Sequence, residues 1–310
     1  MGRSTANSAS PLVAGFLTAA MFVAGAGAYE VGRNSTAATA IQAPGQDAGL
    51  PLPVALPVQP AMPESPVQPV SDPRPLVVLV IDDAGIDPQL TQAAMDLPVA
   101  LTFSFLPYAA ATPELAAEAA ARGNDVFLHM PMEPVGLEDP GPGALTRHLP
   151  PDVLASRVER ALAQVPGAIG LNNHMGSAFT ADTPALQAVF NALSDRDLVF
   201  LDSLTTGRSR AARVAREAGL LALQRDIFID HEPGTEIAAL DEMADMARRE
   251  GEVIAIAHPR PGTIAALSAW LADPVNADVR FVTIRSYIAE RPLDQTMVSN
   301  EAVSLLGSPE

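Results

Sequence analysis

The chain has no cysteine. That excludes disulfides and thiolate metal sites, so any bound metal must rest on His, Asp, Glu or Asn. It does not assign a compartment, because exported bacterial proteins also lack disulfides. Basic charge is scarce: 36 acidic residues stand against 19 basic ones, a formal net charge of −17. Nucleic acids and anionic membrane surfaces need basic patches, so the balance argues against both and allows a neutral or cationic substrate. Also missing is a glycine-rich phosphate loop after the first strong apolar run, which weakens a nucleotide-binding reading. What the chain has is 310 residues, 48% of them hydrophobic, enough to bury one large core or two small ones.

The most informative stretch is Leu76–Asp83, LVVLVIDD. Six apolar residues, mostly β-branched, suit a strand buried on both faces, as in a parallel sheet. Asp82 and Asp83 then fall at its carboxyl end, where open α/β sheets and barrels place their chemistry. Two adjacent acids repel and call for a compensating cation.

In chain order, residues 1–30 contain Leu12–Tyr29, eighteen residues without a charge. That is close to the minimum for a membrane span. A signal peptide cut near the small residues Ala24–Ala28 is the other reading; an anchor is expected, with the remainder exported. Residues 31–74 are rich in Pro and Ala and read as a disordered, extended linker. From residue 75 to 288, short apolar runs alternate with amphipathic stretches. Strands are expected at Leu76–Ile81, Val99–Ser104, Asp125–Leu128, Ala168–Leu171, Leu198–Leu201, Leu220–Leu223, Glu252–Ile256 and Val279–Ile284. Seven helical patterns lie between them, with Thr112-Pro113, Pro151-Asp152 and Asp182-Thr183-Pro184 as start signals. This alternation predicts an α/β domain, a (β/α) barrel of seven or eight units, complete or slightly incomplete; a doubly wound open sheet is the alternative. The long Pro- and Gly-rich segment Met130–Pro150 is expected to form a rim loop. From Arg285 the texture turns polar, and residues 289–310 read as a tail.

The strand ends carry the titratable groups. They include Asp82 and Asp83; His129 and Glu133; Asn172, Asn173 and His174; Asp202; Arg225, Asp226 and Asp230; and His258. Three of the five histidines directly follow predicted strands, whereas His148 and His231 lie on loops and read as solvated. One carboxylate and two imidazoles make an open site for a divalent ion such as zinc. Such an ion supports hydrolysis, with a second carboxylate as base and a histidine as acid. Alternation along the strand would let one of the two aspartates bind metal while the other acts as base. Asn172 and Asn173 suit either hydrogen bonding to a substrate or oxyanion, or turn formation.

The order IDD, HMPMEP, NNHMGS, LDS, RDIFID and AIAHP resembles the divergent polysaccharide deacetylases, relatives of the carbohydrate esterases that remove N-acetyl groups. The likeness covers about Pro75–Ser286. It implies a metal-dependent deacetylase acting on an acetylated polysaccharide such as peptidoglycan in the cell envelope, with the domain in the periplasm. By this likeness Asp82 is the base, Asp83 and His129 are metal ligands, and His258 is the general acid. The family's second ligand histidine is replaced by Glu133; His174 is the expected substitute, with Glu133 as runner-up. The arginine that orients the base in typical members is missing, and Arg225 is a candidate replacement. Asp202 and Asp226 are expected either to orient ligands or His258, or to cap helices. These departures also motivate a second reading, a non-catalytic glycan-binding or scaffold protein on the same fold.

Overall fold

The computed structural model describes residues 72–291. The leader of residues 1–30, most of the linker and most of the tail lie outside the described residues. Among the described residues no helix is long and apolar enough to cross a membrane.

Nine parallel strands form the sheet: β1 (Leu76–Ala84), β2 (Thr102–Phe105), β3 (Asp125–Met132), β4 (Gly170–Met175), β5 (Val199–Asp202), β6 (Leu221–Gln224), β7 (Ile227–Phe228), β8 (Glu252–Ala257) and β9 (Arg280–Val282). Their order is β6-β5-β4-β3-β2-β1-β8-β7, with β9 also on β1. The order never reverses, which excludes the doubly wound alternative. The edge strands β6 and β7 are separated only by Arg225 and Asp226. The Arg225 amide donates to Asp202 O at 3.0 Å, and the Asp226 amide donates to Ile254 O at 2.8 Å. Two successive residues thus bond to β5 and to β8, so the sheet is curled into a barrel that is not fully closed.

Helices α1 (Pro88–Met95), α2 (Thr112–Ala121), α3 (Pro151–Leu162), α4 (Thr183–Leu193), α5 (Ala211–Glu217), α6 (Glu236–Glu250) and α7 (Pro261–Ala272) follow the strands. Their starts obey local chemistry. Asp87 accepts from the amides of Gln89 and Leu90 at 2.9 and 3.0 Å ahead of Pro88, and Asp182 accepts from Ala185 ahead of Pro184. At the end of α6, Gly251 takes φ 87°, the left-handed cap that glycine adopts without penalty.

Strand alternation divides the core in two. Val77, Leu79 and Ile81, with Val126, Leu128, Phe200, Val253 and Ala255, pack outward against the helices. Val78, Val80, Phe127, Leu201, Leu223, Ile254 and Ile256 fill the barrel interior. Side chains two residues further along the inward series therefore emerge at the carboxyl-end rim.

One strand and one α-helix have no counterpart in the sequence reading. β7 is too short to show a period. The other is α8 (Ile284–Glu290), in the stretch whose texture turns polar from Arg285. Its Ile284, Tyr287 and Ile288 stand at i, i+3 and i+4 and pack against the inner core. Charged neighbours mask so short an apolar stripe, and the boundary expected after residue 288 falls inside this helix.

Candidate metal centre and active site

The inward series places Asp82 beyond Val80, His129 beyond Phe127, Ser203 beyond Leu201, Arg225 beyond Leu223 and His258 beyond Ile256. Ser104, Asn172 and His174 share that phase on β2 and β4. Period-2 geometry alone thus gathers polar groups from several strands on one rim.

Asp83 breaks the period. Regular alternation would turn it outward into the helix layer, away from Asp82. Instead the β1–β2 register shifts between Ile81 and Ala84, and Asp83 adopts φ 57°. This bulge turns both carboxylates toward the rim, which corrects the simple alternation expected for the pair. A left-handed conformation at a non-glycine residue is a local strain of the kind that concentrates at functional sites.

Asp83 Oδ1 lies 3.4 Å from His129 Nε2 and 3.1 Å from His174 Nδ1, and the two nitrogens are 3.2 Å apart. Ligands at about 2.0–2.1 Å in a tetrahedron stand about 3.3 Å from one another. All three edges of the Asp83–His129–His174 triangle match that spacing. Asp83 Oδ1 is buried and has no directed hydrogen-bond partner, as expected of an oxygen that faces a cation rather than a donor. These three residues therefore form a set able to hold a metal ion.

Electrostatics agree. Burial would raise the Asp83 carboxyl, but the close imidazoles of His129 and His174 hold it well below the usual carboxylate range. Burial would likewise lower His129; the charge of Asp82 and the adjacent Asp83 carboxylate outweigh it and hold the imidazole up to about 8. Asp82 is 2% exposed. Burial holds it above the ordinary range, against the pull of His129, His258 and the Asn172 amide.

His258 sits opposite, its Nε2 4.0 Å from Asp83 Oδ2. Its Nδ1 meets Asp230 Oδ1 at 2.9 Å, and its backbone amide donates to Asp230 Oδ2 at 2.8 Å. Thr263 Oγ1 donates to the same carboxylate at 2.8 Å. Burial alone would depress His258, but this anchored carboxylate, with Asp82 and Asp83, raises it. The register explains the pairing. Ile227 faces Ala255 and Phe228 faces Ile256, so Asp230 comes level with His258.

Several expected site residues stand elsewhere. Glu133 is held by Arg147, accepting from its amide at 2.7 Å and its guanidinium at 2.9 Å. It pins the rim loop and lies outside the ligand triangle. Arg225 donates to Ser203 O and Leu204 O and stacks on Phe228 at 3.8 Å; the partner of Asp82 is Asn172, not an arginine. Asn173 donates to Met175 O and accepts from the Ser203 amide, clamping β4 to β5 instead of reaching the rim. Asp202 accepts from the Leu204 amide and from Ser209 Oγ, and so braces the loop before α5. Asp226 accepts from the Ile254 amide at the barrel seam, and the carboxylate on His258 is Asp230. His148 and His231 are exposed. Ser104, Ser203 and the role of Asp230 escaped the sequence reading. Strand phase would have flagged the two serines, whereas the Asp230 pairing needs the β7–β8 register.

The family model described as divergent polysaccharide deacetylase matches residues 79–288. The uncharacterized protein YibQ of Escherichia coli K12 is 31% identical over 229 residues, covering 73% of this chain and 72% of that protein. An uncharacterized protein of Haemophilus influenzae Rd is 37% identical over 201 residues, covering 64% and 71%. The crystal structure of protein ATU2773 from Agrobacterium tumefaciens C58 superposes with a TM-score of 0.66 at 26% identity, over 70% of this chain and 90% of that one.

Proposed function

Because the chain belongs to the divergent polysaccharide deacetylase family, we propose that it is a zinc-dependent hydrolase that removes N-acetyl groups from an amino-sugar polysaccharide of the bacterial envelope, such as peptidoglycan. The observation that carries this reading is the Asp83–His129–His174 triangle, with its three near-tetrahedral edges, flanked by a second buried carboxylate and a carboxylate-anchored histidine. Zinc held there by Asp83, His129 and His174 would supply Lewis acidity, polarising an amide carbonyl and making water a stronger acid.

The chain's own groups do the rest. Asp82 has Oδ1 engaged by Asn172, so Oδ2, which faces His129 Nε2 at 3.6 Å, is the oxygen that accepts the proton of the attacking water. His258 carries the proton for the departing amine on Nε2, since Nδ1 is tied to Asp230. As the water oxygen bonds to the carbonyl carbon, one proton moves from water to Asp82; as the C–N bond breaks, one moves from His258 to the amine nitrogen, releasing the free amino sugar and acetic acid, which ionises to acetate.

The deciding experiment is bound-metal analysis together with acetate release from N-acetylglucosamine oligomers and peptidoglycan. Zinc-loaded protein inert on all of these would remove the deacetylase claim. The second reading, a glycan-binding scaffold, draws on the neutral amide that holds Asp82 where typical members use a cation. Glycan binding without hydrolysis, unchanged by Asp82→Asn, would favour it. The same proposal has the chain exported and held at the inner membrane by Leu12–Tyr29, with the barrel in the periplasm. Fractionation with protease access in spheroplasts tests this, and a cytosolic protein would overturn it.

A further inference from the structure

The side chain of Asn172 is fully buried, and each hydrogen-bonding direction of its amide is taken by the site or by a residue bordering it. Oδ1 faces His129 Nδ1 at 2.7 Å and accepts from Ser104 Oγ. Nδ2 donates to Asp82 Oδ1 at 2.8 Å and to Ser203 Oγ at 3.1 Å. A primary amide offers two donors and two acceptor lone pairs, so this one is saturated. Its orientation is also determined, because the flipped amide would set its oxygen against the Asp82 carboxylate.

Two consequences follow. An oxygen can only accept, so His129 carries hydrogen on Nδ1 and presents the Nε2 lone pair to the ligand triangle. In addition, Asp82 is gripped through Oδ1, which leaves Oδ2 toward the reacting water. We propose that Asn172 is the positioning residue that couples the two halves of this centre: its oxygen selects the ligand tautomer of His129, and its nitrogen orients the Asp82 base. The Asp82 half rests on the hydrolase reading above; the His129 half does not.

Two variants separate the roles. Asn172→Asp keeps the acceptor for His129 and Ser104 but replaces the donor to Asp82 with an acceptor. Asn172→Ala removes both. In the full-length protein, the expected result for Asn172→Asp is undiminished zinc affinity, a His129 still carrying Nδ1–H in ¹⁵N-histidine spectra, and kcat on N-acetylglucosamine oligomers down about a hundredfold with KM little changed. Asn172→Ala should also weaken zinc binding by about 10–100-fold and lose the single tautomer. A generic structural role predicts that both variants fail together. The proposal is overturned if Asn172→Ala keeps wild-type zinc affinity, or if Asn172→Asp loses as much affinity as Asn172→Ala. Should Asn172→Ala not fold, the wild-type spectrum still decides, since hydrogen on Nε2 with a bare Nδ1 excludes the role. Zinc and ¹⁵N measurements need no substrate. Absence of acetate release from the wild type therefore counts against the hydrolase reading alone, and the Asn172–His129 link stands or falls on those two measurements.

Discussion

At the scale of single residues, the site is a set of paired charges whose members hold each other in unusual states. Asp230 is the clearest case. It is 1% exposed, and the main chain and Thr263 fix it against His258. Removing its charge withdraws the first force that opposes the depression of His258 by burial. Asp230→Asn should therefore lower the His258 pKa, so the imidazolium is lost at a lower pH. The alkaline limb of the kcat profile should move to lower pH, and a profile with an unmoved limb would remove His258 from the acid role. Asp83 gives a second prediction at this scale. Its φ of 57° costs about 1–3 kcal/mol at a non-glycine residue, and its carboxylate adjoins another acid. Asp83→Gly and Asp83→Ala should both abolish zinc binding and lose the carboxylate's stabilising contacts with His129 and His174, but only glycine relieves the strain, so the metal-free glycine variant should melt above the alanine variant. A glycine variant that melts no higher than the alanine one would mean that the bulge carries no backbone strain.

Elements act by setting phase. β1 is bounded by β8 along most of its length, by β9 at its start and by β2 at its end, so its inward series anchors the rest. Where β4 passes β5, close approach requires glycine. A Cβ on Gly170 would lie 2.4 Å from Val199 O and 2.5 Å from the Phe127 ring. Gly170→Ala should destabilise the domain by about 1–3 kcal/mol through overpacking, measured as a shift in denaturant midpoint. Zinc affinity should fall with it, because His129 and His174 stand further along the same two strands, β3 and β4. An unchanged midpoint would mean that these strands separate more easily than their packing implies. The element scale also explains why neighbouring asparagines differ. Asn172 is in the inward phase and meets His129 and Asp82. Asn173, one residue later, is out of phase and ties two strand ends together.

For the whole molecule, protons and metal compete for one place. His129 is held to about 8 while uncharged ligation requires its neutral form. Zinc affinity should therefore climb about tenfold per pH unit up to about pH 8 and then level off, read by competition titration. The sign of the stability change follows from the same shift. A histidine raised above its ordinary 6.5 contributes stability that is complete below that value and is lost as pH rises through about 8. The metal-free domain should weaken over this window, and zinc should widen its advantage there. At a free zinc concentration of a hundred dissociation constants the added stability is about 2.7 kcal/mol, a shift that chelation reverses. A melting temperature indifferent to zinc at pH 8 would dissolve the triangle as a metal site.

Much of this protein is legible in its residues. Buried β-branched runs, the helix start at Asp182 and the regular βα alternation specify a parallel α/β domain, because these signals are local and repeat along the chain; the strand order then decides for a curled barrel over a doubly wound sheet. Side-chain period then assigns Asp82, His129, Asn172, His174 and His258 to one rim before any long-range contact is known. Three features came only with the folded chain: the bulge that turns Asp83 beside Asp82, the choice of Asn172 over Arg225 as the partner of Asp82, and the choice of Asp230 over Asp226 as the partner of His258. Each depends on the offset between neighbouring strands. Sequence period determines which face a side chain takes, but only inter-strand register determines whom it meets there.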